Sequence, residues 1–240
     1  MVAEVLDMRE IHEEKTMNRT KIEWADYTWN PIRGLCPEVC KTPDGKSYCY
    51  ARRMYQRFRM PPDIKLDMNE TRRALTLPGR GARIFVCSTI EIFHPAVQRA
   101  DRGCIFSVIK SRPENTFIIL TKRPELIDRP MPDNVWLGVS VTGAEDWYRV
   151  HELSKTKARI KFVSLEPFIG TSPRLMPPAD FDWLIIGRLT GHGIKNDPEI
   201  TAVQWMLVQA RALNIPIFLK DNLKVMWKGP LIQEYPKEQR

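Results

Sequence analysis

Short apolar runs alternate with amphipathic segments along most of the chain. The runs are rich in β-branched and aromatic residues and each ends in polar side chains, which is typical of buried strands in a parallel sheet. Seven runs fit this description, at 27–32, 82–89, 116–124, 134–141, 158–168, 181–191 and 215–222. Segments with helical periodicity lie between them, at 52–59, 69–75, 95–111, 145–155 and 200–213. The alternation predicts an α/β fold, a parallel (β/α) barrel that is partial or complete, with about six to eight strands.

The first 20 residues differ from the rest because they are rich in charge and carry no chemical motif. We predict an N-terminal extension at 1–20, either an appended helix or a loose tail. Residues 21–240 are predicted to form a single barrel domain, since a chain of 240 residues suits one α/β unit of this kind. Within it, Asn69 is predicted to cap the helix that begins there.

Polar side chains lie where four of the predicted strands end. Glu91 follows the second strand, Lys122 and Arg123 end the third, Ser140 ends the fourth, and Glu166 ends the fifth. Because the carboxyl ends of parallel strands meet at one edge of a sheet, these residues are candidates for a ligand site. Plainer roles compete with this one: a capping acid, a turn residue, or a partner in an ion pair.

Three of the five cysteines lie close together, Cys36, Cys40 and Cys49, spaced Cys-x3-Cys-x8-Cys. Thiolates select zinc, copper(I) or iron with sulfur, and three of them leave one metal position open. A structural zinc site would need a fourth ligand, but Cys87 and Cys104 form no second close pair and are predicted to be small buried residues. An odd cysteine count without a secretory signal argues against a disulfide framework.

The spacing Cys-x3-Cys, with the aromatic Tyr48 directly before the last cysteine, resembles the cluster loop of the radical S-adenosylmethionine (SAM) enzymes. In that superfamily three cysteines hold a [4Fe-4S] cluster, and the fourth iron binds the amino and carboxylate groups of SAM. The second gap is eight residues here, where the usual loop has two. The inserted residues, KTPDGKS, favour a polar turn that bulges outward.

Further segments strengthen the likeness over residues 21–222. They are TWNPIRGLC, YCYA, IFVCSTIEIFH, LTKRPE, NVWLGVSV, FVSLEPFIG, WLIIGRLTG and IPIFLKDN. In this order they resemble a phage-associated, radical-SAM-like family of unassigned function. Members commonly carry Gly-Gly-Glu-Ser-Gly where this chain has GRLTG at 187–191. The missing glutamate argues against the family's ligand contact at that loop, and the arginine at 188 points to a different, more anionic ligand.

The resemblance implies a cytoplasmic radical SAM enzyme that cleaves SAM reductively to a 5'-deoxyadenosyl radical, with electrons from a donor such as flavodoxin or ferredoxin. Its implied cluster ligands are Cys36, Cys40 and Cys49. The residues implied at SAM or the substrate are Tyr48 beside the adenine, Glu91 at the ammonium, Lys122 and Arg123 at a carboxylate or phosphate, Ser140 at the ribose, and Glu166 at the substrate.

The charge balance bears on the substrate. Lys and Arg number 37 against 29 acidic residues, a net charge of +8, which favours an anionic partner. We therefore expect a nucleic acid or nucleotide-like substrate. The competing class is a non-catalytic, zinc-stabilised nucleic-acid-binding protein, which the same charge would serve. The basic segment 52–59 is predicted to pack Met54 and Phe58 into the core with its arginines in solvent, and the alternative is a phosphate-binding face.

Membrane association is not expected. The longest apolar stretches, at 117–120 and 183–186, are far too short to cross a bilayer. The first residues lack the uninterrupted apolar core of a secretory signal. Both features are consistent with the predicted cytoplasmic location.

Overall fold

The computed structural model describes residues 19–76, 81–169, 180–191 and 194–237. Most of the predicted N-terminal extension, residues 1–18, lies outside the described residues, so the division at residue 20 stays a prediction. None of the helices in the described ranges combines the length and the apolar character that a bilayer span requires.

Seven parallel strands form the main sheet. They are β1 (Tyr27–Trp29), β4 (Arg83–Val86), β5 (Thr116–Thr121), β6 (Val135–Val141), β7 (Ile160–Leu165), β8 (Trp183–Ile186) and β9 (Ile217–Leu219), and they pair in that order. Neighbours in the chain are thus neighbours in the sheet. The sheet curls into a half-barrel, which confirms the predicted partial (β/α) barrel. The first strand is shorter than predicted because Pro31 separates it from β2 (Ile32–Arg33), which pairs antiparallel with β3 (Lys65–Leu66).

The helices lie between the strands. They are α1 (Tyr50–Arg57), α2 (Met68–Arg73), α3 (Arg99–Lys110), α4 (Tyr148–Ser154) and α5 (Ile200–Ala212). Short 3-10 turns occupy Ala74–Thr76, Pro124–Leu126, Ala144–Trp147, Ile194–Asn196 and Asp221–Val225. All five predicted helical segments therefore contain a helix, although most of the helices are shorter than the sequence patterns that predicted them.

The two faces of the curled sheet are packed differently. Alternate strand residues such as Phe117 and Ile119 face the core that includes buried residues of α3 and α5. The residues between them face the other side, where aromatic rings dominate. This second cluster contains Trp24, Phe85, Trp136, Phe162, Trp183 and Phe218. Trp183 is at its centre, with Trp136 edge-on at a centroid distance of 5.7 Å. The rings therefore fill the interior of the half-barrel.

Gly138 in β6 makes room for one of these rings. A Cβ atom at this position would lie 2.4 Å from the ring of Phe162 on the neighbouring strand. No larger residue fits there without moving the ring, so a glycine inside a buried strand follows from close packing rather than from a turn.

Three sequence-based predictions about local environment are wrong. The cap of α2 is Asp67, whose carboxylate accepts hydrogen bonds from the amides of Asn69 and Glu70 at 3.0 and 3.1 Å. Asn69 itself lies inside the helix. Phe58 is 64% exposed instead of packing in the core. Cys104 is exposed on α3, whereas Cys87 is buried as predicted. A helical pattern gives spacing along the chain, but it does not identify the face that the barrel covers.

We expect Asp67→Ala to lower the free energy of unfolding by about 1–2 kcal/mol, because two helical amides lose their acceptor. Asn69→Ala is the matched control and should change it by less than about 0.5 kcal/mol. Urea denaturation measures both. Equal effects of the two substitutions would contradict the assignment of Asp67 as the cap.

The effect of Asp67 should also depend on pH. Burial would raise the pKa of Asp67, but hydrogen bonds from the Glu70 amide and from Arg33 outweigh it and leave the pKa lowered. A carboxyl with a lowered folded-state pKa stabilises the fold above its unfolded pKa of about 4 and loses that contribution as the pH falls through the folded value. The stability difference between wild type and Asp67→Ala should therefore shrink below about pH 4.

Candidate active site

A cavity of about 430 Å³ opens at the carboxyl edge of the half-barrel. Its wall includes residues at the ends of β4, β5, β6, β7, β8 and β9 together with the cysteine loop. This volume lies within the range of about 300–1,000 Å³ that is typical of cofactor and small-molecule sites.

Eight of the nine residues predicted at the site line this single cavity. They are Cys36, Cys40, Tyr48, Cys49, Glu91, Lys122, Ser140 and Glu166. The ninth, Arg123, is not part of the cavity wall. Its Nε atom instead pairs with Oε1 of Glu38 at 2.5 Å, and its Nη1 lies 3.6 Å from Glu125.

The three loop cysteines carry free thiols. The sulfur of Cys36 accepts a hydrogen bond from the amide of Glu91 at 3.4 Å. Cys49 is the N-cap of α1, and its sulfur accepts from the amide of Arg52 at 3.4 Å. Backbone amides and a helix N-terminus thus point at two of the sulfurs, a setting that stabilises negative charge on them.

Cys40 and Cys49 interact directly. Their mutual hydrogen bond raises the pKa of the Cys40 thiol and lowers the pKa of the Cys49 thiol, and the Lys122 ammonium favours the thiolate of each. Burial raises the pKa of Cys36. Within the described ranges, no three His, Cys, Asp or Glu side chains are grouped so that they could hold one metal ion.

The insert between Cys40 and Cys49 forms a polar turn, as predicted. Lys41 and Ser47 form an isolated antiparallel bridge. Within the turn, the carbonyl oxygen of Thr42 accepts a hydrogen bond from the amide of Gly45. The carboxylate of Asp44 lies 2.5 Å from the ammonium of Lys195, in the turn after β8. Lys195 and the Thr42 hydroxyl lower the pKa of Asp44 to about 2. An ion pair therefore joins the tip of the insert to a residue that is 151 positions away in sequence.

Glu91 is buried and its carboxylate already has protein partners. Oε1 accepts from the hydroxyl of Thr121 at 2.6 Å and from the amide of Phe93 at 3.2 Å. Oε2 accepts from the amide of Lys122 at 2.7 Å. The residue joins the end of β4 to the end of β5, which sets the position of Cys36 through the Glu91 amide.

Arg52 is a site residue that sequence analysis missed. Its Nη2 donates to the carbonyl oxygen of Cys36 at 2.8 Å and, more weakly, to that of Glu38 at 3.4 Å. Glu38 is also held by Arg123, so two arginines tie down the loop between the first two cysteines. The available signal was the position of Arg52, three residues after Cys49 in a predicted helix.

A network of charged side chains lies at the ends of β7, β8 and β9. The ammonium of Lys220 contacts the carboxylate of Glu166 and lies 3.7 Å from that of Glu23. Arg188 pairs with Asp197 at 2.7 Å. Gly187 permits this packing, since a Cβ there would lie 2.9 Å from the side chain of Lys220. Glu166 therefore forms an ion pair within the protein, with Lys220. This is one of the two roles considered for it from the sequence, the other being contact with the substrate.

The cavity also has an apolar part. Ile22, Trp24, Phe85 and Leu120 line it. The indole nitrogen of Trp24 is buried and has no hydrogen-bond partner among the described residues. A buried donor without a partner costs free energy, so this position favours a ligand or water that accepts a hydrogen bond.

We expect Arg52→Ala to lower the free energy of unfolding by about 1–2 kcal/mol, because two loop carbonyls lose a charged donor. Amide hydrogen exchange in residues 36–40 should also become faster. The neighbouring exposed residue provides the control, and Arg53→Ala should change stability by less than about 0.5 kcal/mol. Unchanged exchange in the loop of the Arg52 variant would show that Arg52 does not order it.

Solved structures with a similar fold include two of spore photoproduct lyase. One is a variant with bound AdoMet (SAM) and dinucleoside spore photoproduct, with a TM-score of 0.51 and 13% identity over 73% of this chain and 59% of that one. Another is a variant with dinucleoside spore photoproduct, with a TM-score of 0.50 and 12% identity over 73% of this chain and 58% of that one. This chain thus aligns with less than two thirds of the length of either protein. At these identities the likeness shows a shared fold.

No curated protein matches the chain by sequence. A family model does, and its description is "Protein of unknown function (DUF5131)". The match extends over residues 19–227, which is most of the chain and includes the cysteine loop and all seven strands of the main sheet. The chain therefore belongs to the DUF5131 family.

Proposed function

We propose that the protein is a radical SAM enzyme whose substrate is a nucleic acid or a nucleotide-like molecule. Cys36, Cys40 and Cys49 would hold a [4Fe-4S] cluster, and SAM would occupy the adjoining cavity. The membership of the phage-associated family suggested by the sequence stays a prediction, as does the supply of electrons by a protein such as flavodoxin or ferredoxin.

One observation carries the proposal. Three free cysteines from a single loop and five candidate cofactor residues around it line one cavity, at the carboxyl edge where ligands bind in parallel α/β folds. The fold is shared with spore photoproduct lyase, a radical SAM enzyme that has been solved with AdoMet bound. Fold and cavity therefore agree with the function that the cysteine spacing suggested.

The donor set fits an iron-sulfur cluster. Cysteine sulfurs are the usual cluster ligands, and hydrogen bonds to the sulfurs tune the cluster potential. Here the amides of Glu91 and Arg52 already donate to Cys36 and Cys49. Lys122 adds a positive charge that favours the thiolate forms of Cys40 and Cys49. When bound, the cluster would supply one electron to SAM, whose cleavage gives a 5'-deoxyadenosyl radical.

Several side chains would bind and orient SAM. Burial raises the pKa of Tyr48, so its phenol stays neutral and its ring can pack against an adenine. Glu91 uses three of its roughly four acceptor positions within the protein, which leaves about one for the SAM ammonium. Lys122 would pair with the SAM carboxylate, and Ser140 would contact a ribose hydroxyl; both residues line the cavity.

Two of the sequence-based roles change in this proposal. Arg123 is assigned to the loop, through Glu38, instead of to the SAM carboxylate. Glu166 is assigned to the Lys220 ion pair at the end of the cavity, where the pair would contact the substrate. The apolar wall around Trp24 would exclude water from the reacting region, as a radical reaction requires.

The test is anaerobic reconstitution with iron and sulfide, followed by reduction in the presence of SAM. We expect about four iron atoms per chain, consistent with a [4Fe-4S] cluster, and release of 5'-deoxyadenosine measured by chromatography. Each of Cys36→Ala, Cys40→Ala and Cys49→Ala should abolish that release, since removal of one ligand disrupts the cluster site.

Cys104→Ala is the matched control, because Cys104 is exposed on α3 and is not part of the cavity wall. It should keep full iron content and SAM cleavage. A protein that takes up one zinc ion in place of iron, and releases no 5'-deoxyadenosine, would support the zinc-stabilised nucleic-acid-binding alternative and reject the enzyme.

A further inference from the structure

Helix α1 and its C-cap carry exposed aromatic and arginine side chains, which we call the α1 ridge: Tyr50, Arg53, Arg57 and Phe58. Tyr50, Arg53 and Arg57 are spaced by three and four residues, which places them on one face of the helix, and Phe58 follows Arg57 at the C-cap. The opposite side, with Ala51 and Tyr55, is buried against the protein. Tyr50 is 54% exposed and Phe58 is 64% exposed, which is unusual for two large aromatic residues on one short helix.

The ridge carries positive charge without a neighbouring carboxylate in the part of the chain that the structure describes. No carboxylate among the described residues lies within 4.0 Å of the guanidinium of Arg53 or Arg57, although many other arginines of this chain have such partners. Helix α1 contains no acidic residue. The guanidinium of Arg57 lies 5.4 Å from the ring centroid of Phe58, so charge and aromatic surface are presented together.

The ridge begins at the cavity. Tyr50 and Arg53 are part of the cavity wall, and Cys49 caps the same helix. From Tyr50 to Phe58 the helix rises by about 12 Å, at about 1.5 Å per residue. A polymer lying on the ridge could therefore continue directly into the cavity, whereas a free nucleotide would fill the cavity without reaching Phe58.

We propose that the α1 ridge binds a single-stranded nucleic acid next to the cavity. Arginines without a carboxylate partner among the described residues match the phosphate backbone, and exposed aromatic rings stack on unpaired bases, a combination typical of single-strand binding surfaces. Paired bases in a duplex do not offer their faces, so the two rings select a single strand. The ridge's role in holding a substrate rests on the proposed function, whereas the binding itself does not.

The charge contribution is tested by fluorescence anisotropy with the full reconstituted chain and a labelled oligothymidylate of about 12 nucleotides. The double substitution Arg53→Ala with Arg57→Ala should weaken binding by about tenfold or more at low salt. It should also make the plot of log K against log salt shallower by about 1.4, since each phosphate contact contributes about 0.7 for a single strand.

A matched control separates a local contact from the loss of net charge. Lys110 and Arg159 line a second cavity, of about 470 Å³, at the amino ends of the strands, on the opposite side of the barrel from the ridge. Lys110→Ala with Arg159→Ala removes the same charge and should change the affinity by less than about twofold. Equal losses in the two double variants would overturn the proposal.

The aromatic contribution is tested with Phe58→Leu, which keeps an apolar side chain but removes the stacking ring. We expect a loss of affinity of about fivefold or more, and loss of the fluorescence quenching that stacking produces in an oligonucleotide containing 2-aminopurine. An exposed Leu does not disturb the fold, which a urea curve verifies. Wild-type affinity and quenching in this variant would reject stacking on Phe58.

The same binding experiment also tests other classes of partner. Equal affinity for a duplex of the same length, or for a polyglutamate of equal charge, would overturn recognition of a single strand. Cluster assembly and SAM cleavage are measured separately, without the oligonucleotide. Wild-type SAM cleavage together with no difference between the two double variants would reject the ridge alone, whereas ridge-dependent binding without SAM cleavage would reject the proposed enzyme alone.

Discussion

The parallel direction of the seven strands is the constraint on which the site depends. Each strand runs from the filled interior of the half-barrel to the same edge, so the residues that follow the strands meet even when they are far apart in sequence. Glu91 and Lys220 follow strands at nearly opposite ends of the sheet order, yet both line one cavity. The aromatic cluster around Trp183 fills the interior of the half-barrel behind this edge.

Hydrogen bonds then fix the cysteine loop on this frame. The Glu91 amide reaches Cys36, while its carboxylate binds the end of the neighbouring strand. Arg52 holds two loop carbonyls, and Arg123 holds Glu38. The positions of Cys36 and Cys49 are therefore set by contacts to the sheet and to α1, although the loop itself contains almost no regular secondary structure. Under the proposed function, these two cysteines would be held in position before a cofactor binds.

Much of the fold could be predicted from sequence because buried parallel strands leave a strong local signal. Continuous apolar runs such as FIIL and WLII end in polar residues, and a strand direction common to all of them follows from the intervening helices. The same rule identified Glu91, Lys122, Ser140 and Glu166 as neighbours of the cysteines. These predictions needed only local sequence and one general property of parallel sheets.

Predictions that depended on knowing which group a side chain contacts were less successful. Arg123 follows a strand as Lys122 does, but its guanidinium turns to Glu38, 85 residues away in sequence. Phe58 has helical spacing from Met54, yet α1 ends at Arg57 and Phe58 is an exposed C-cap residue. Asp67, and not Asn69, caps α2, because its carboxylate accepts hydrogen bonds from two helical amides. Such outcomes depend on contacts distant in sequence or on the exact start of a helix.

The central claim is that three sulfurs hold a cluster with one iron free for SAM. It is tested most directly by a crystal structure of the anaerobically reconstituted protein grown with SAM, with anomalous data collected at the iron edge. The account predicts four iron peaks, three of them bonded to Cys36, Cys40 and Cys49, and SAM bound to the fourth. A single zinc ion bound by these cysteines, or SAM bound away from the metal, would contradict it.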